Sequence, residues 1–244
     1  MEKPSLAGAF DAPQTKRRYV RRLFATIADR YDLITVLLSF GRDRHWKTRL
    51  VNLLAVQPGW RVLDLACGTG DIAFEAVQRG ASAVGLDITP RMVELAHAKN
   101  HHGSAQPPIT WVVGDMTALP IANESVDAVT TGYGLRNVPD LTGAIAEIHR
   151  VLKPGGTIGS LDFDRPEAWV IRRIYLIYLT IVGSTLGWVL HRDPDTYRYI
   201  PASIRHYPGA RRVAAMMRDA GFADVRHVPV FGGFMAIHLG RKGP

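Results

Sequence analysis

The sequence predicts an α/β protein whose doubly wound, mostly parallel sheet has seven strands. Between residues 60 and 163, short apolar runs alternate with helical stretches, and strands that alternate with helices form parallel sheets. The first apolar run ends at the turn Gly68-Thr69-Gly70, as in sheets that bind a ligand at their carboxyl edge. Two final apolar runs are separated by short turn signals, which indicates an antiparallel pair at the C-terminal edge of the sheet.

The individual elements follow from apolar spacing and from glycine and proline at their ends. Five strands are predicted at Arg61–Ala66, Ala83–Asp87, Ile109–Val113, Val126–Thr131 and Thr157–Phe163. The helices between them are predicted at Asp71–Arg79, Pro90–Asn100 and Asp140–Leu152. The last predicted elements are a helix at Gly209–Ala220 and strands at Val225–Val230 and Phe234–Leu239.

The chain divides into three parts around this sheet. Residues 1–58 form a predicted N-terminal helical cap, and residues 59–244 form the sheet domain, with a helical lid inserted at about residues 164–207. Within the cap, five basic residues crowd an amphipathic stretch that begins at Lys16 and ends at Arg22. This stretch is either a solvated helix face or a face turned to a membrane or a substrate, and the sequence leaves both open.

One apolar segment inside the lid, Ile174–Leu190, carries no charge. As a helix, its seventeen residues would extend about 26 Å, slightly less than the ~30 Å of a hydrocarbon core. Gly183, Gly187 and two tyrosines further weaken the case for a membrane span. We therefore expect a buried or interfacial helix that covers an apolar site.

The composition excludes several classes of protein. Thirty Lys and Arg against 22 Asp and Glu give a net charge of +8, and a hydrophobic share of 47% is that of a folded globular chain. The single cysteine, Cys67, can form neither an internal disulfide nor a Cys-based zinc site, which indicates a reducing compartment. Nine histidines are scattered, with His101-His102 in a loop, so no metal site is expected.

The glycine turn predicts a cofactor site. Asp64 precedes it inside the first strand, Asp87 ends the second strand and Asp115 follows the third, which places three carboxylates at one edge of the sheet. Gly68-x-Gly70-x-x-Ala73 with Asp87 also satisfies the dinucleotide fingerprint, so a nicotinamide cofactor is an alternative. The charge of Asp64 disfavours a pyrophosphate but suits the amino-acid part of a sulfonium cofactor, and Asp115 is placed to accept from an adenine amino group.

Asp64-x-x-Cys-Gly-Thr-Gly, with Asp87 and Asp115, resembles the class I methyltransferase core, a Rossmann-like fold that uses S-adenosyl-L-methionine. Further motifs resemble one branch of it, the ubiquinone/menaquinone biosynthesis C-methyltransferases (demethylmenaquinone methyltransferase-like). They are Tyr31-Asp32-Leu33, Leu38-Ser39-Phe40-Gly41 with Trp46-Lys47, Gly134-Leu135-Arg136-Asn137-Val138, the run from Arg150 to Gly156, the run from Arg192 to Arg205, and Gly232-Gly233 with the ending from His238. In this order they span about residues 19–242, nearly the whole chain.

The resemblance implies the residues that bind the cofactor. They are Asp64, Gly68, Thr69, Gly70, Asp87, Ile88, Asp115, Met116 and Gly132. Gly132 stands where relatives have a small hydroxyl residue, so that hydroxyl contact is absent here. Cys67 replaces the usual glycine and Asp162 a common glutamate, departures that loosen the substrate assignment but leave the reaction class intact.

Methylation of a ring carbon of a reduced quinone requires loss of a phenolic proton, and a free phenol has a pKa near 10. A positive group would stabilise the phenolate, and Arg136, just after the fourth strand, is the candidate. Because arginine does not serve as a simple base, a water molecule would carry the proton. Asn137 would orient that water molecule or the ring hydroxyl, and Tyr31 would close the site. The alternatives are a loop-fixing network for Arg136 and Asn137 and ordinary packing for Tyr31.

The expected function is S-adenosylmethionine-dependent C-methylation of a reduced prenylated benzoquinol or naphthoquinol; the alternative is methylation of a soluble aromatic or other secondary metabolite. An apolar substrate and excess positive charge indicate a cytoplasmic enzyme that docks on the inner face of the cytoplasmic membrane through anionic lipid. No base-methylating Asp/Asn-Pro-Pro-Tyr/Phe motif follows the fourth strand, so nucleic acid is not expected as a partner. The sequence leaves a homodimer, and a non-catalytic binding protein on the same fold, open.

Overall fold

Seven strands form one sheet in the computed structural model, which describes residue 6 and residues 8–100, 109–166 and 168–244. They are β1 (Arg61–Leu65), β2 (Ser82–Asp87), β3 (Ile109–Val113), β4 (Val126–Gly132), β5 (Leu152–Phe163), β6 (Phe222–Val230) and β7 (Met235–Lys242). Their order is β3-β2-β1-β4-β5-β7-β6. The first five strands are parallel, and β7 runs antiparallel to both β5 and β6, which confirms the predicted fold class and C-terminal pair.

The α-helices of the described residues cover both faces of the sheet and one end of it. They are α1 (Pro13–Ile27), α2 (Tyr31–Leu38), α3 (Asp43–Leu54), α4 (Asp71–Val77), α5 (Pro90–Asn100), α6 (Leu141–Val151), α7 (Trp169–His191), α8 (Asp195–His206) and α9 (Ala210–Asp219). The first three belong to the predicted cap, and α7 and α8 to the predicted lid.

Three strands extend by three residues or more beyond their predicted bounds because pairing continues past the apolar run. β5 begins before the predicted Thr157, since Leu152 already pairs with Val126 ahead of a bulge. In the antiparallel pair, Phe222 and Lys242 are partners, so β6 starts earlier and β7 ends later than the apolar pattern indicated. Hydrogen bonding to a neighbouring strand, which a local pattern does not contain, decides these ends.

Two apolar clusters fix the sheet between its helices. On one face Leu63 and Leu86 pack with Ile148 of α6, and on the other Leu161 packs with Leu50 of α3. The strands between these layers are buried on both sides, as parallel strands are. Strand order reverses between β1 and β4, so the crevice at their carboxyl ends is where such a sheet binds ligands.

The lid helix α7 contacts the protein along one narrow stripe. Gly183 and Gly187 let it approach α8 closely, because a Cβ on Gly183 would lie 3.0 Å from the Tyr197 carbonyl oxygen. The buried residues of α7 are Tyr175, Leu179, Gly183 and Gly187, spaced one helical turn apart. The rest of the helix is largely exposed, so the expectation of a buried helix is wrong for most of its surface.

By length and composition, α7 is the helix among the described residues that could cross a membrane. Only 17% of its most apolar window is buried within the protein. Large apolar side chains stand on its outward side: Trp169, Val170, Ile171, Ile174, Ile177, Ile181, Trp188 and Val189.

Candidate functional site

The loop after β1 is shaped by backbone conformations that favour glycine. Gly68 has φ +54° and Gly70 has φ +91°, both in the left-handed region, and Gly70 begins α4. Asp87 at the end of β2 holds this loop, because its carboxylate accepts from the backbone N–H groups of Gly68 at 3.0 Å and Thr89 at 2.8 Å. The predicted ribose-binding carboxylate therefore also organises the turn.

Replacement of Gly70 by alanine should destabilise this loop strongly. A Cβ on Gly70 would lie 2.4 Å from Trp111 Cη2, so overpacking adds to the unfavourable φ, and together they should cost more than about 2 kcal/mol. Gly155→Ala is the matched control, since Gly155 has φ +77° but open space around it. Urea unfolding of both variants measures the difference, and an equal loss of stability in the two would contradict the steric argument.

A cavity of about 680 Å³ opens at the carboxyl ends of β1 to β4; we call it the cofactor cavity. Six of the nine predicted cofactor residues line it: Gly68, Asp87, Ile88, Asp115, Met116 and Gly132. A Cβ on Gly132 would lie 2.8 Å from Ile72 Cδ1, so a larger residue at this position would require Ile72 to move. Gly70 is not among the lining residues of the cofactor cavity; it contributes by forming the turn that leads into α4.

Asp64 and Thr69 line a smaller cavity of about 270 Å³ beside the glycine turn, together with Lys47 and Gly132. Asp64 Oδ1 accepts from Thr130 Oγ1 at 2.8 Å, while its Oδ2 is buried without a hydrogen-bond partner among the described residues. Burial raises the pKa of Asp64 to about 7, although the Thr130 bond and the Lys47 charge oppose the shift. An unpartnered buried carboxylate oxygen suits a cationic ligand.

The cap helices cover the cofactor cavity and engage its predicted residues. Arg17 of α1 forms an ion pair with Asp115, with 2.6 Å between Nη2 and Oδ2, and Thr69 donates to Asp32 of α2 at 2.6 Å. Lys16 donates to the carbonyl oxygens of Arg136 and Val138 at 2.9 and 2.7 Å. The basic stretch therefore does not present all its charges outward, because Lys16 and Arg17 point into the site.

A second and more apolar cavity, of about 910 Å³, lies between the cap, the sheet and the lid; we call it the apolar cavity. Its walls come from α1 and α2, from β5, and from Tyr175, Leu179, Tyr197 and Tyr199 of the lid. Phe24, Tyr31 and Tyr133 line both cavities, so the two meet at these three side chains. The prediction that the apolar lid segment covers an apolar site agrees with this arrangement.

Arg136 supplies a cationic side chain to the wall of the apolar cavity. Its Nη1 lies 2.9 Å from Asp162 Oδ1, and its backbone N–H donates to Asp162 Oδ2 at 3.0 Å. Arg136 is 6% exposed and Asp162 is fully buried. Burial lowers the pKa of Arg136, but the Asp162 carboxylate outweighs this and raises it, while Arg136 Nε has no partner among the described residues. A stably charged guanidinium therefore stands in the cavity wall, against the ring of Phe163.

Both roles weighed for Arg136 and Asn137 have support in their contacts. Their side chains donate to the Tyr133 carbonyl oxygen at 3.0 and 2.8 Å, which is a loop-fixing network. Asn137 also lines the cofactor cavity, and its Oδ1 is buried without a partner among the described residues. Tyr31 lies at the junction of the cavities, where burial raises its pKa.

Three contributors to the site were not predicted from the sequence. Asp162 is the partner of Arg136, and its place at the carboxyl end of β5 is a signal that could have indicated this role. Asp43 of α3 accepts a bond from Tyr133 Oη in the loop after β4, a contact that no local pattern contains, and it pairs with Lys47 one turn further along α3.

No group of three His, Cys, Asp or Glu side chains able to hold a metal ion occurs in the described ranges. The pair His101-His102, named in the sequence argument, lies outside the described residues.

A match to the ubiE/COQ5 methyltransferase family extends over residues 12–242. The chain belongs to this family. It is 37% identical over 227 residues to a ubiquinone/menaquinone biosynthesis C-methyltransferase of Rubrivivax gelatinosus, covering 93% of this chain and 88% of the relative. It is 38% identical over 232 residues to a demethylmenaquinone methyltransferase of Roseiflexus castenholzii, covering 94% and 96% of the two chains.

Solved structures support the fold of this ubiE/COQ5 family member. A phosphoethanolamine N-methyltransferase of Haemonchus contortus, solved with S-adenosylhomocysteine, superimposes with a TM-score of 0.69 at 14% identity, over 92% of this chain and 60% of its own. An S-adenosylmethionine-dependent methyltransferase of Aquifex aeolicus gives 0.57 at 16% identity, over 80% and 88%. The family match, over residues 12–242, confirms the predicted enzyme class and its cofactor, S-adenosylmethionine.

Proposed function

We propose that this enzyme transfers a methyl group to a ring carbon of a reduced prenylated benzoquinol or naphthoquinol. The observation that carries the proposal is the large apolar cavity, which meets the cofactor cavity and has one buried cation, Arg136, among the described residues of its wall. The cavity suits a ring with an isoprenoid tail, and Arg136 suits a ring oxygen that becomes anionic. The names of the relatives in quinone biosynthesis support the same substrate class.

The residues of the cofactor cavity fit S-adenosylmethionine, which supplies an electrophilic methyl group when bound. Asp87 and Asp115 would hold its adenosine part, and Asp64, which lines the smaller cavity beside the glycine turn, would hold its cationic end. Phe24, Tyr31 and Tyr133 enclose the junction where donor and acceptor would meet, and they exclude water from it. Holding both partners there replaces an encounter in solution.

Arg136 acts on the ring oxygen next to the methylated carbon. Its charge stabilises the phenolate, whose electron density then extends to that carbon. Asp162 holds the guanidinium charged and oriented, and a water molecule beside Asn137 carries the proton away. Arg136 and Asn137 therefore both shape the loop, and Arg136 also stands in the wall that faces the reacting ring.

Incubation with labelled S-adenosylmethionine and membrane lipid extract from a strain that lacks this enzyme tests the proposal. Label in a quinone fraction supports it. Label in water-soluble products alone would refute it and favour methylation of a soluble aromatic metabolite, the alternative that the sequence left open.

We also propose that the enzyme is cytoplasmic and docks on the inner face of the cytoplasmic membrane. Exposed apolar side chains of α2 and α7 form one surface, the docking face: Leu33, Val36, Leu37, Phe40, Trp169, Ile174, Ile177, Tyr178, Ile181 and Trp188. Phe40 and Tyr178 also line the apolar cavity, and their rings lie 6.4 Å apart. The docking face therefore adjoins the wall of the apolar cavity at these two rings, which suits a membrane-soluble substrate.

Charge at one end of α7 favours anionic lipid as the occupant of this face. Arg172, Arg173 and Arg205 surround a surface groove together with the exposed ring of Trp169. Guanidinium groups beside an interfacial tryptophan suit phosphate headgroups, and basic residues near an anionic surface contribute about 1 kcal/mol each. The positive charge that suits docking thus extends beyond the N-terminal helix to the lid.

Vesicle flotation tests docking. Ile174→Glu with Ile181→Glu should weaken binding to anionic vesicles at least about tenfold, because it removes apolar burial and adds repulsion. Val113→Glu, an exposed apolar position away from this face, is the control and should bind like the wild type. If the docking face instead paired two copies into a homodimer, the wild type would elute as a dimer and fail to float with vesicles.

A further inference from the structure

The hydroxyl of Tyr133 has a fixed direction of donation. Its Oη donates to Asp43 Oδ1 at 2.6 Å, and Asp43 Oδ2 lies 2.5 Å from Lys47 Nζ. Asp43 is 6% exposed and Tyr133 is 8% exposed, so water competes little for these bonds. Lys47 also donates to Asp71 at 2.8 Å, which anchors the chain of contacts to α4.

The protons of this network are well defined at neutral pH. Burial and the Asp43 carboxylate hold the pKa of Tyr133 well above its usual value, so its phenol stays protonated. Burial lowers the pKa of Lys47, but Asp71 and Asp43 outweigh this and raise it, so the ammonium stays charged. Asp43 accepts from both neighbours, and the single proton of Tyr133 is committed to it. Toward any other group, the Tyr133 oxygen can only accept.

The backbone holds Tyr133 in place as firmly as its hydroxyl does. Tyr133 has φ +60°, a conformation rarely adopted by a residue with a side chain. The Arg136 and Asn137 side chains both donate to its carbonyl oxygen and maintain this conformation. The Tyr133 side chain lies at the junction of the two cavities and lines both of them. Strain retained at such a place is typical of functional residues.

We propose that Tyr133 selects the reduced form of the substrate ring by accepting a hydrogen bond from a ring hydroxyl. This inference rests on the proposed function. A quinol offers a hydroxyl donor for Tyr133 and an oxygen that becomes anionic for Arg136, which has only donors. An oxidised quinone has a carbonyl oxygen in place of each hydroxyl group. The carbonyl oxygen beside Tyr133 would face the Tyr133 oxygen, and neither atom would have a proton to donate to the other. Such an unmatched pair of buried acceptors weakens binding by about tenfold or more.

Asp43 is a positioning residue in this arrangement, because it sets the direction of the Tyr133 hydroxyl without contacting the ring. In Asp43→Asn, Lys47 would still donate to the carbonyl oxygen of the new side chain, which turns the amide NH₂ toward Tyr133. Tyr133 would then accept from Asn and become free to donate into the cavity. The variant should therefore lose preference for the quinol and gain affinity for the quinone.

Binding of one ring in two redox states tests the proposal. The ligands are a short-chain prenyl naphthoquinone and its quinol, the latter kept reduced under anaerobic dithionite. S-adenosylhomocysteine replaces the cofactor to prevent turnover, and tryptophan fluorescence reports binding, since Trp46 lines the apolar cavity. The wild type should bind the quinol at least about tenfold more tightly than the quinone.

Tyr133→Phe should bring the ratio of quinol to quinone affinity close to one by weakening quinol binding. This variant keeps the Asp43–Lys47 pair, so it tests the inference even if Asp43→Asn fails to fold. Tyr19→Phe is the control and should keep the wild-type ratio, because Tyr19 lines neither cavity. If folded Tyr133→Phe keeps the wild-type ratio of quinol to quinone affinity, the inference is overturned. This holds even if the wild-type enzyme methylates the quinol, in which case the proposed function stands. Absence of quinol binding and methylation in the wild type would refute the proposed function and the inference together.

Discussion

Replacing Arg136 by alanine is expected to abolish turnover while S-adenosylmethionine still binds. Loss of a preorganised donor at a developing oxyanion typically costs a hundredfold to a thousandfold in kcat, or about 3–4 kcal/mol. Arg136 lines the apolar cavity, and its side chain has no part in the cofactor cavity, so cofactor affinity should change little. Single-turnover methylation and calorimetric cofactor titration measure the two effects, and wild-type-like turnover would refute the proposed role.

The single variant should also lose stability, because it leaves Asp162 buried without its cationic partner. Breaking one side of a buried ion pair costs about 3–5 kcal/mol. The control is the neutral pair Arg136→Gln with Asp162→Asn, which retains hydrogen-bonding groups and leaves no lone charge. It should recover most of the stability but none of the activity. Recovery of both would mean that Arg136 serves the fold alone.

Cofactor affinity is expected to rise with pH up to about pH 7 and then to level off. Burial raises the pKa of Asp64 to about 7 in the free enzyme, and a cationic ligand binds its ionised form. Affinity at pH 6 should therefore be roughly tenfold weaker than on the plateau above pH 8. Asp64→Asn should bind S-adenosylmethionine more weakly throughout and lose this dependence. An unchanged slope in the variant would exclude Asp64 as the titrating group.

The raised pKa of Asp64 also predicts how the stability of the protein changes with pH. The folded-state pKa of about 7 lies above the ordinary 3.8, so the folded protein binds the proton more tightly than the unfolded chain. The stabilisation from the protonated Asp64 is complete below about pH 4 and is lost as pH rises through about 7. The free energy of unfolding is measured against pH for the wild type and for Asp64→Asn. The difference between the two profiles isolates this change, because the other titrating groups are common to both proteins.

The fold was predictable because its signals are local. The apolar runs of β1 to β4, the glycine turn after β1 and the two-strand ending each contain their own evidence within a few residues. The exposure of α7 was not predictable in the same way. An apolar run has the same appearance whether its neighbours cover it or leave it open, and only the packing of Gly183 and Gly187 against α8 shows which side is buried.

The candidate site also has some features that the local sequence predicts and others that depend on the packing of distant segments. Asp87 ends β2 and Asp115 follows β3, so the edge of a parallel sheet brings both to the cofactor cavity without further information, whereas Asp64 lies inside β1 and lines the smaller cavity beside the glycine turn. The Tyr133–Asp43–Lys47 contacts join the loop after β4 to a helix of the cap, and sequence spacing contains nothing about that distance. Arg136 was identified through the family resemblance, whereas its dependence on Asp162 came from the structure.

The position of α1 links the two cavities. Arg17 and Phe24 on this helix wall the cofactor cavity, and Phe24 walls the apolar cavity as well. A displacement of α1 would therefore open both cavities together, so that one movement of one helix would give access to both.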